Sequence, residues 1–234
     1  MAHDNITKQA LLASFNAPDH ARLYGDGVPR FVPGMADLHR MMAILVAERA
    51  AADARVLVLG AGGGLELRAM AQAHPGWTFV GVDPAAAMLD EARRVLGPDA
   101  SRVTFREGYI ENAPEGPFDA ATCLLTLHFL EAGERVRTLR ELRQRLKPGA
   151  PFVVAHISFP QDGSARRLWL SRYAAFALAS GTDPEQVEKM SNSVDAHLPM
   201  LSPGQDEAIL RDAGFSDIAL FYAAFTWRGW ISYA

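Results

Sequence analysis

Five short apolar runs alternate with helical stripes between residues 56 and 157, and this rhythm does most to limit how the chain can fold. Val56-Leu57-Val58-Leu59 is wholly apolar and stops at glycines, as expected of a strand buried on both faces. Thr78–Val82, Val103–Phe105, Phe118–Leu125 and Pro151–Ile157 are the other four strand-like runs. Leu65 to about His74 reads as a helix between the first two. Asp83-Pro84 opens the next helix, to about Leu96, with proline where its missing N–H costs nothing. Val136, Leu139, Leu142 and Leu146 form an apolar stripe that Pro148-Gly149 stops. Strands separated by helices pair in parallel through crossovers, so the expected class is α/β with a doubly wound, mostly parallel sheet.

The flanks depart from that rhythm. Turn signals fall at Asn16–Asp19 and Gly25–Pro29, and Leu38, Met41, Met42 and Leu45 predict a helix over about 35–51. Residues 164–200 read as helical and are expected to cover the C-terminal edge of the sheet, where ligands bind in such folds. Gln205–Ala213 reads as a helix closed by Gly214. Asp217–Ala223 and Phe225–Tyr233 are β-rich and close together, which predicts a C-terminal antiparallel hairpin on the sheet edge. A chain of 234 residues suits one domain. Its expected parts are a helical N-terminal lid (1–52), a ligand-binding core (53–158), a helical cover (159–200) and a helix with a terminal hairpin (201–234).

Three features of the core stand at consistent spacing. Gly60-Ala61-Gly62-Gly63-Gly64 follows a strand and precedes a helix, where glycine lets a ligand approach the backbone and the helix offers free N–H groups. Asp83 ends the next strand, nineteen residues after Gly64, where a carboxylate suits ribose hydroxyls. The same side chain also suits capping the helix that follows. Tyr109 and Ile110 follow the third strand, where a ring such as adenine would be sandwiched. A dinucleotide fingerprint with Gly60 and Gly62 needs glycine at 65, but Leu65 is there and the third glycine is Gly64. That spacing suits a nucleoside cofactor without a pyrophosphate.

Composition excludes other classes. A formal charge of −4 shows no overall basic footprint of a nucleic-acid binder. Cys123 is the single cysteine, so an intramolecular disulfide and a cysteine metal cluster are excluded. Seven histidines lie scattered without a His-x-x-x-His pair, and no metal is expected. The opening MAHDNITKQ lacks the basic start and apolar run of a leader, and no apolar stretch reaches the roughly 18 residues of a membrane span. A soluble cytoplasmic protein is expected.

The runs VLVLGAGGG, GVDPAAAML, ATCLLTLHFLE and LRQRLKPGAPFVVA, over about residues 53–158, resemble the successive motifs of the Rossmann-like class I S-adenosylmethionine (SAM)-dependent methyltransferases. VPGMADLHRM, LTLHFLEAGER and DAGFSDIALFYAAFTWRGW are most similar to the carboxy-SAM synthase family that serves tRNA uridine modification. The resemblance implies SAM as cofactor. Gly60, Ala61, Gly62 and Gly64 would hold its methionine part, Asp83 and Pro84 its ribose, and Tyr109 and Ile110 its adenine; Met88, Leu124 and Met35 complete the expected cofactor contacts. Four positions depart from the pattern. Val58 stands where class I members usually have an acid, and Tyr109 where an acid is common. Leu124 stands where the carboxy-SAM relatives have asparagine, and Asn192-Ser193-Val194 lies near their carboxylate-binding arginine. Without that arginine a bound extra carboxylate would be buried unpaired at several kcal/mol.

The expected activity is transfer of the SAM methyl group to a small-molecule or otherwise unidentified acceptor, with carboxy-SAM synthesis from SAM and a small carboxylate such as prephenate, or SAM binding without turnover, as alternatives. A nicotinamide enzyme is a remote fourth. Small-molecule acceptors are expected, tRNA stays open, and a homodimer is implied by the resemblance alone. His128, just after the fourth strand, is a candidate general base, although a histidine between Leu127 and Phe129 more often serves packing. Tyr24 and Arg30, in the segment expected to fold over the cofactor, are further catalytic candidates. Trp169, Tyr173 and Phe176 have helical spacing and read as core, Trp227 and Trp230 as hairpin packing, and the charged run Glu131–Arg145 as a solvated helix face.

Overall fold

The computed structural model describes the backbone of residues 2–234 and the side chains of residues 9–234. The opening residues on which the leader expectation rests therefore lie, in their side chains, outside the described residues. Strands β1 (Arg55–Leu59), β2 (Thr78–Asp83), β3 (Val103–Glu107), β4 (Ala120–Leu124), β5 (Pro151–Ile157), β6 (Ser216–Ala224) and β7 (Trp227–Tyr233) form one sheet in the order β3-β2-β1-β4-β5-β7-β6. The first five are parallel; β7 runs antiparallel to β5, and β6 antiparallel to β7. The expected C-terminal hairpin is thus present, and the parallel strands follow the expected doubly wound path. β1 pairs with β2 on one side and β4 on the other, so the chain reverses its winding there. A crevice at the carboxyl ends of these two strands is the natural ligand site of such a sheet.

Alternation along β1 sorts its side chains to two cores. Val56 and Val58 pack with Leu38 and Met42 of helix α3 (Met35–Ala47) and Leu67 and Met70 of α4 (Leu65–Ala73). Leu57 and Leu59 face the opposite layer, with Leu139 and Leu142 of α6 (Ala132–Gln144) and Ile209 and Leu210 of α9 (Pro203–Asp212). Helix α5 (Ala86–Leu96) begins two residues later than the proline predicted.

Both helical flanks are present as expected, with breaks that the structure places. The turn signal at Asn16–Asp19 falls at the break between α1 (Ala2–Phe15) and α2 (Pro18–Gly27), and that at Gly25–Pro29 falls where α2 gives way to a 3-10 turn. Pro18 serves as a helix starter, and Gly25 and Gly27 close the helix instead of interrupting it. Residues 164–200 form two helices, α7 (Gly163–Ala179) and α8 (Pro184–His197), because Gly181 adopts a left-handed φ of 80° and Asp183 caps the second helix through the Glu185 and Gln186 N–H groups. Of the stripe expected to be core, Tyr173 is buried with its ring 5.6 Å from Phe31 of the N-terminal segment and Trp169 packs partly buried against the same cluster, whereas Phe176 is half-buried beside the exposed Phe225.

Candidate active site

The turn after β1 is closed by its neighbours as much as by its own glycines. Gly60 and Ala61 donate to the Val82 carbonyl at 2.8 and 3.0 Å, and Gly63 donates to the Met88 carbonyl at 3.1 Å. Gly60, Gly63 and Gly64 have φ of 81°, 75° and 69°, a region that favours glycine. Gly62 is required for a different reason: a Cβ there would stand 2.7 Å from Asp83 Oδ2 and 2.8 Å from Met88 Cβ.

Asp83 is the hinge of this arrangement. Its Oδ2 accepts the Gly62 N–H at 3.0 Å, and its Oδ1 accepts the Ala85 N–H at 2.9 Å. The second bond secures the approach to α5, whose N-cap residue is Ala85 and not Asp83. Each carboxylate oxygen keeps an acceptor site beyond these bonds. Burial raises the Asp83 carboxyl above its ordinary value, and the two N–H donors oppose that shift. The Asp83 carbonyl also accepts the Gly108 N–H at 3.0 Å, which draws the end of β3 to the same place.

The remaining expected residues separate into a packed group and an exposed one. Tyr24 lies over the turn: a Cβ on Gly63 would be 2.6 Å from its Cδ1. Leu12, Phe15 and Tyr24 of the lid pack on Ala85 and Met88 at the start of α5. Burial, with the nearby acids Glu66 and Asp83, pushes the Tyr24 hydroxyl well above the usual tyrosine range. Met35, Met88, Ile110 and Leu124 are buried, and Pro84 is half-buried beside Asp83. Tyr109 is 51% exposed, at the start of a short 3-10 turn that Asn112 closes. Arg30 stands exposed on a 3-10 turn, outside the packed group.

His128 is buried between aromatic rings, 4.3 Å from Phe129 and 5.7 Å from Trp227 between centroids. Phe129 meets Phe15 of the lid at 5.5 Å, so the histidine lies under the lid near the end of β4. Burial, followed by the charges of His156 and Arg135, lowers its pKa well below the ordinary histidine value although Asp206 opposes them. Its imidazole is accordingly neutral near pH 7, and its Nδ1 has no protein partner.

Sequence reasoning missed Glu66. It sits in the first turn of α4, where an acid reads as an ordinary complement to the helix N-terminus. It is only 7% exposed, and the Thr122 hydroxyl donates to its Oε1 at 2.6 Å. Thr122 is level with Val58 in the sheet, so an acid borne by α4 reaches the layer in which β1 carries none. Burial, then Asp83, pushes the Glu66 carboxyl up to about 8, with the Thr122 bond pulling the other way. The signal was inaccessible in the sequence because the partner is 56 residues away.

The described residues contain no group of three or more metal-ligating side chains, and no helix long and apolar enough to cross a membrane. Residues 56–149 match the family described as "Methyltransferase domain". The chain is 25% identical over 211 residues to a carboxy-S-adenosyl-L-methionine synthase of Klebsiella pneumoniae, a match covering 88% of this chain and 85% of that one. It is 26% identical over 212 residues to the enzyme of the same name from Erwinia tasmaniensis, with the same coverage. Among solved structures, an O-methyltransferase family protein from Burkholderia thailandensis aligns with a TM-score of 0.62 at 20% identity, over 85% of this chain and 57% of that one. Human N-acetylserotonin methyltransferase in complex with SAM aligns with a TM-score of 0.57 at 18% identity, over 90% of this chain and 57% of that one. The chain thus spans little more than half the length of these two structures, and at such identities they speak to the fold.

Proposed function

We propose that this chain is a class I SAM-dependent methyltransferase that transfers the SAM methyl group to a small-molecule acceptor held under the N-terminal segment, a reading supported by the domain match and the sheet topology. The observation that carries this proposal is Asp83, whose carboxylate ties the glycine turn to α5 at the winding reversal and keeps acceptor sites for ribose hydroxyls. Gly60, Ala61, Gly62 and Gly64 would hold the methionine part, Pro84 would flank the ribose, and Tyr109 and Ile110 would flank adenine. Met35, Met88 and Leu124 would complete the apolar wall.

SAM supplies a methyl group already made electrophilic by its sulfonium. What remains for the protein is to orient an acceptor and exclude water. Leu12, Phe15 and Tyr24 provide the cover. Tyr24, held protonated by its surroundings, can donate a hydrogen bond but is a poor base. His128 is neutral and so free to accept an acceptor's proton, and its depressed pKa makes it a weak base, suited to an acceptor that loses its proton easily. Arg30, exposed, is assigned at most a contact with an incoming acceptor. The protein is taken to be cytoplasmic, and a homodimer rests on the resemblance alone.

Calorimetric titration with SAM and with S-adenosylhomocysteine, followed by transfer of a labelled SAM methyl group to a panel of small phenols, amines and carboxylates, tests this proposal. Binding of both nucleosides and label in at least one acceptor is expected; binding without any transfer would reduce the chain to a SAM-binding protein, and tighter binding of NAD would remove the cofactor assignment. One observation favours a second function, since relatives named carboxy-SAM synthase match along most of the chain. Leu124 is buried at the end of β4, and Asn192-Ser193-Val194 lies on α8 without an arginine, which leaves an extra carboxylate unpaired. The mass of the co-purified nucleoside separates the two, and a carboxy-SAM mass would select the second, with tRNA modification as its destination.

A further inference from the structure

Glu66 is a buried carboxyl that the methyl-transfer scheme does not use. It lies two residues into the helix that follows the glycine turn, and its surroundings converge on that turn. Tyr24 of α2 covers Gly63, and Asp83 of β2 holds the Gly62 N–H. Both are near enough to Glu66 to interact with it electrostatically. From β4, Thr122 donates to it and the buried Cys123 thiol is its titratable neighbour. Tyr24, Asp83 and Cys123 are thus the titratable groups facing it from the packed elements, and none of them is cationic. Arg68, in the same helix, is exposed. An ionised carboxylate buried among neutral and acidic groups is costly unless a positive charge arrives.

We propose that Glu66 is the counter-charge for the cationic part of SAM, and that cofactor binding displaces its proton to solvent. The proposal rests on the assignment of SAM to this turn and adds a charge-selective residue to it. Protonated Glu66 spares the site a second buried negative charge beside the Asp83 carboxylate. The arriving sulfonium and ammonium then draw off the proton and leave a carboxylate facing a cation. The proton goes to buffer, and no other bond changes. Because Glu66 titrates near 8 in the free protein, its proton is still largely present at neutral pH.

Calorimetry of SAM binding to the full chain in phosphate and in Tris, buffers of very different ionisation enthalpy, measures the displaced proton directly. Close to one proton released per SAM is expected at pH 7, and the association constant should rise about tenfold per pH unit between 6 and 8 and then level. Glu66→Gln keeps the size and an acceptor for Thr122, and should release no proton, flatten the pH profile and bind SAM at least about tenfold more weakly at pH 9. Thr122→Val removes the hydrogen bond that favours the charged form, and should move the levelling point to higher pH. S-adenosylhomocysteine carries the ammonium without the sulfonium. A proton released with SAM alone ties Glu66 to the sulfonium, and one released with both ties it to the ammonium. SAM binding with no proton release, or a wild-type profile in Glu66→Gln, overturns the proposal while leaving the cofactor assignment intact. Failure of both nucleosides to bind overturns the cofactor assignment as well.

Discussion

A single methyl group at position 62 would strike the carboxylate of Asp83 and the side chain of Met88 before it met any ligand. Gly62→Val is therefore expected to abolish S-adenosylhomocysteine binding and also to lower the melting temperature, because protein atoms must move to admit the side chain. Calorimetry and a thermal melt read the two effects separately; normal binding would mean that the turn serves structure alone. Asp83→Ala removes the acceptors for Gly62 and Ala85 together with those offered to ribose. SAM affinity should fall by roughly 1–3 kcal/mol, the range for hydrogen bonds to a charged group, and unchanged affinity by calorimetry would refute the ribose assignment. Asp83 was legible from its spacing after Gly64 because turn length and strand length are local properties. Glu66 was not, since its burial depends on a strand 56 residues away.

The lid is attached to the rest of the molecule at a few identifiable points. Trp227 of β7 donates through Nε1 to the Phe31 carbonyl at 2.8 Å, and the Tyr222 hydroxyl of β6 donates to the Pro33 carbonyl at 2.5 Å. The C-terminal hairpin thus does more than extend the sheet, because it holds the segment that leads back to Tyr24. Trp227→Phe keeps an aromatic ring but loses the donor. A destabilisation of about 1 kcal/mol is expected, with faster proteolytic nicking within residues 9–34, read by melting and by mass spectrometry of the fragments. A wild-type nicking rate would show that the anchor does not hold the lid. The sequence placed Trp227 in the hairpin by its β-rich surroundings, whereas its reach to Phe31 belongs to contacts across 196 residues.

Across the whole molecule, the layer opposite the lid is joined by a buried ion pair. Arg135 of α6, fully buried, meets Asp206 of α9 at 2.6 Å and also donates to the carbonyls of Leu130 and Pro199. His156 of β5 stands 3.2 Å from the same Asp206 oxygen. Burial disfavours the Asp206 charge, but His156 and Arg135 hold its carboxyl below the usual carboxylate range. The run Glu131–Arg145 is therefore not simply a solvated face: one of its arginines is a core residue. Arg135→Met leaves a carboxylate buried without its cation and should cost about 3–5 kcal/mol in a denaturant titration. Pairing it with Asp206→Leu should recover part of that loss, whereas an additive double variant would show that the pair is not coupled.

The alternation of strands and helices, the glycine turn, the acid at the end of β2 and the terminal hairpin were all legible in the linear order of residues. Each is written in residue periodicity or in turn chemistry over a few positions, and such preferences act before distant parts of the chain meet. Which charges are buried, and where the N-terminal segment rests, depend on contacts made across the folded chain. Glu66 and Arg135 look like ordinary helix-surface residues in a linear reading, and Tyr109, expected beside the cofactor, keeps half its surface exposed. Burial and electrostatic environment are set by neighbours that the fold brings together from remote positions. The glycine turn was thus readable from its own residues, and the acid buried in the helix that follows it was not.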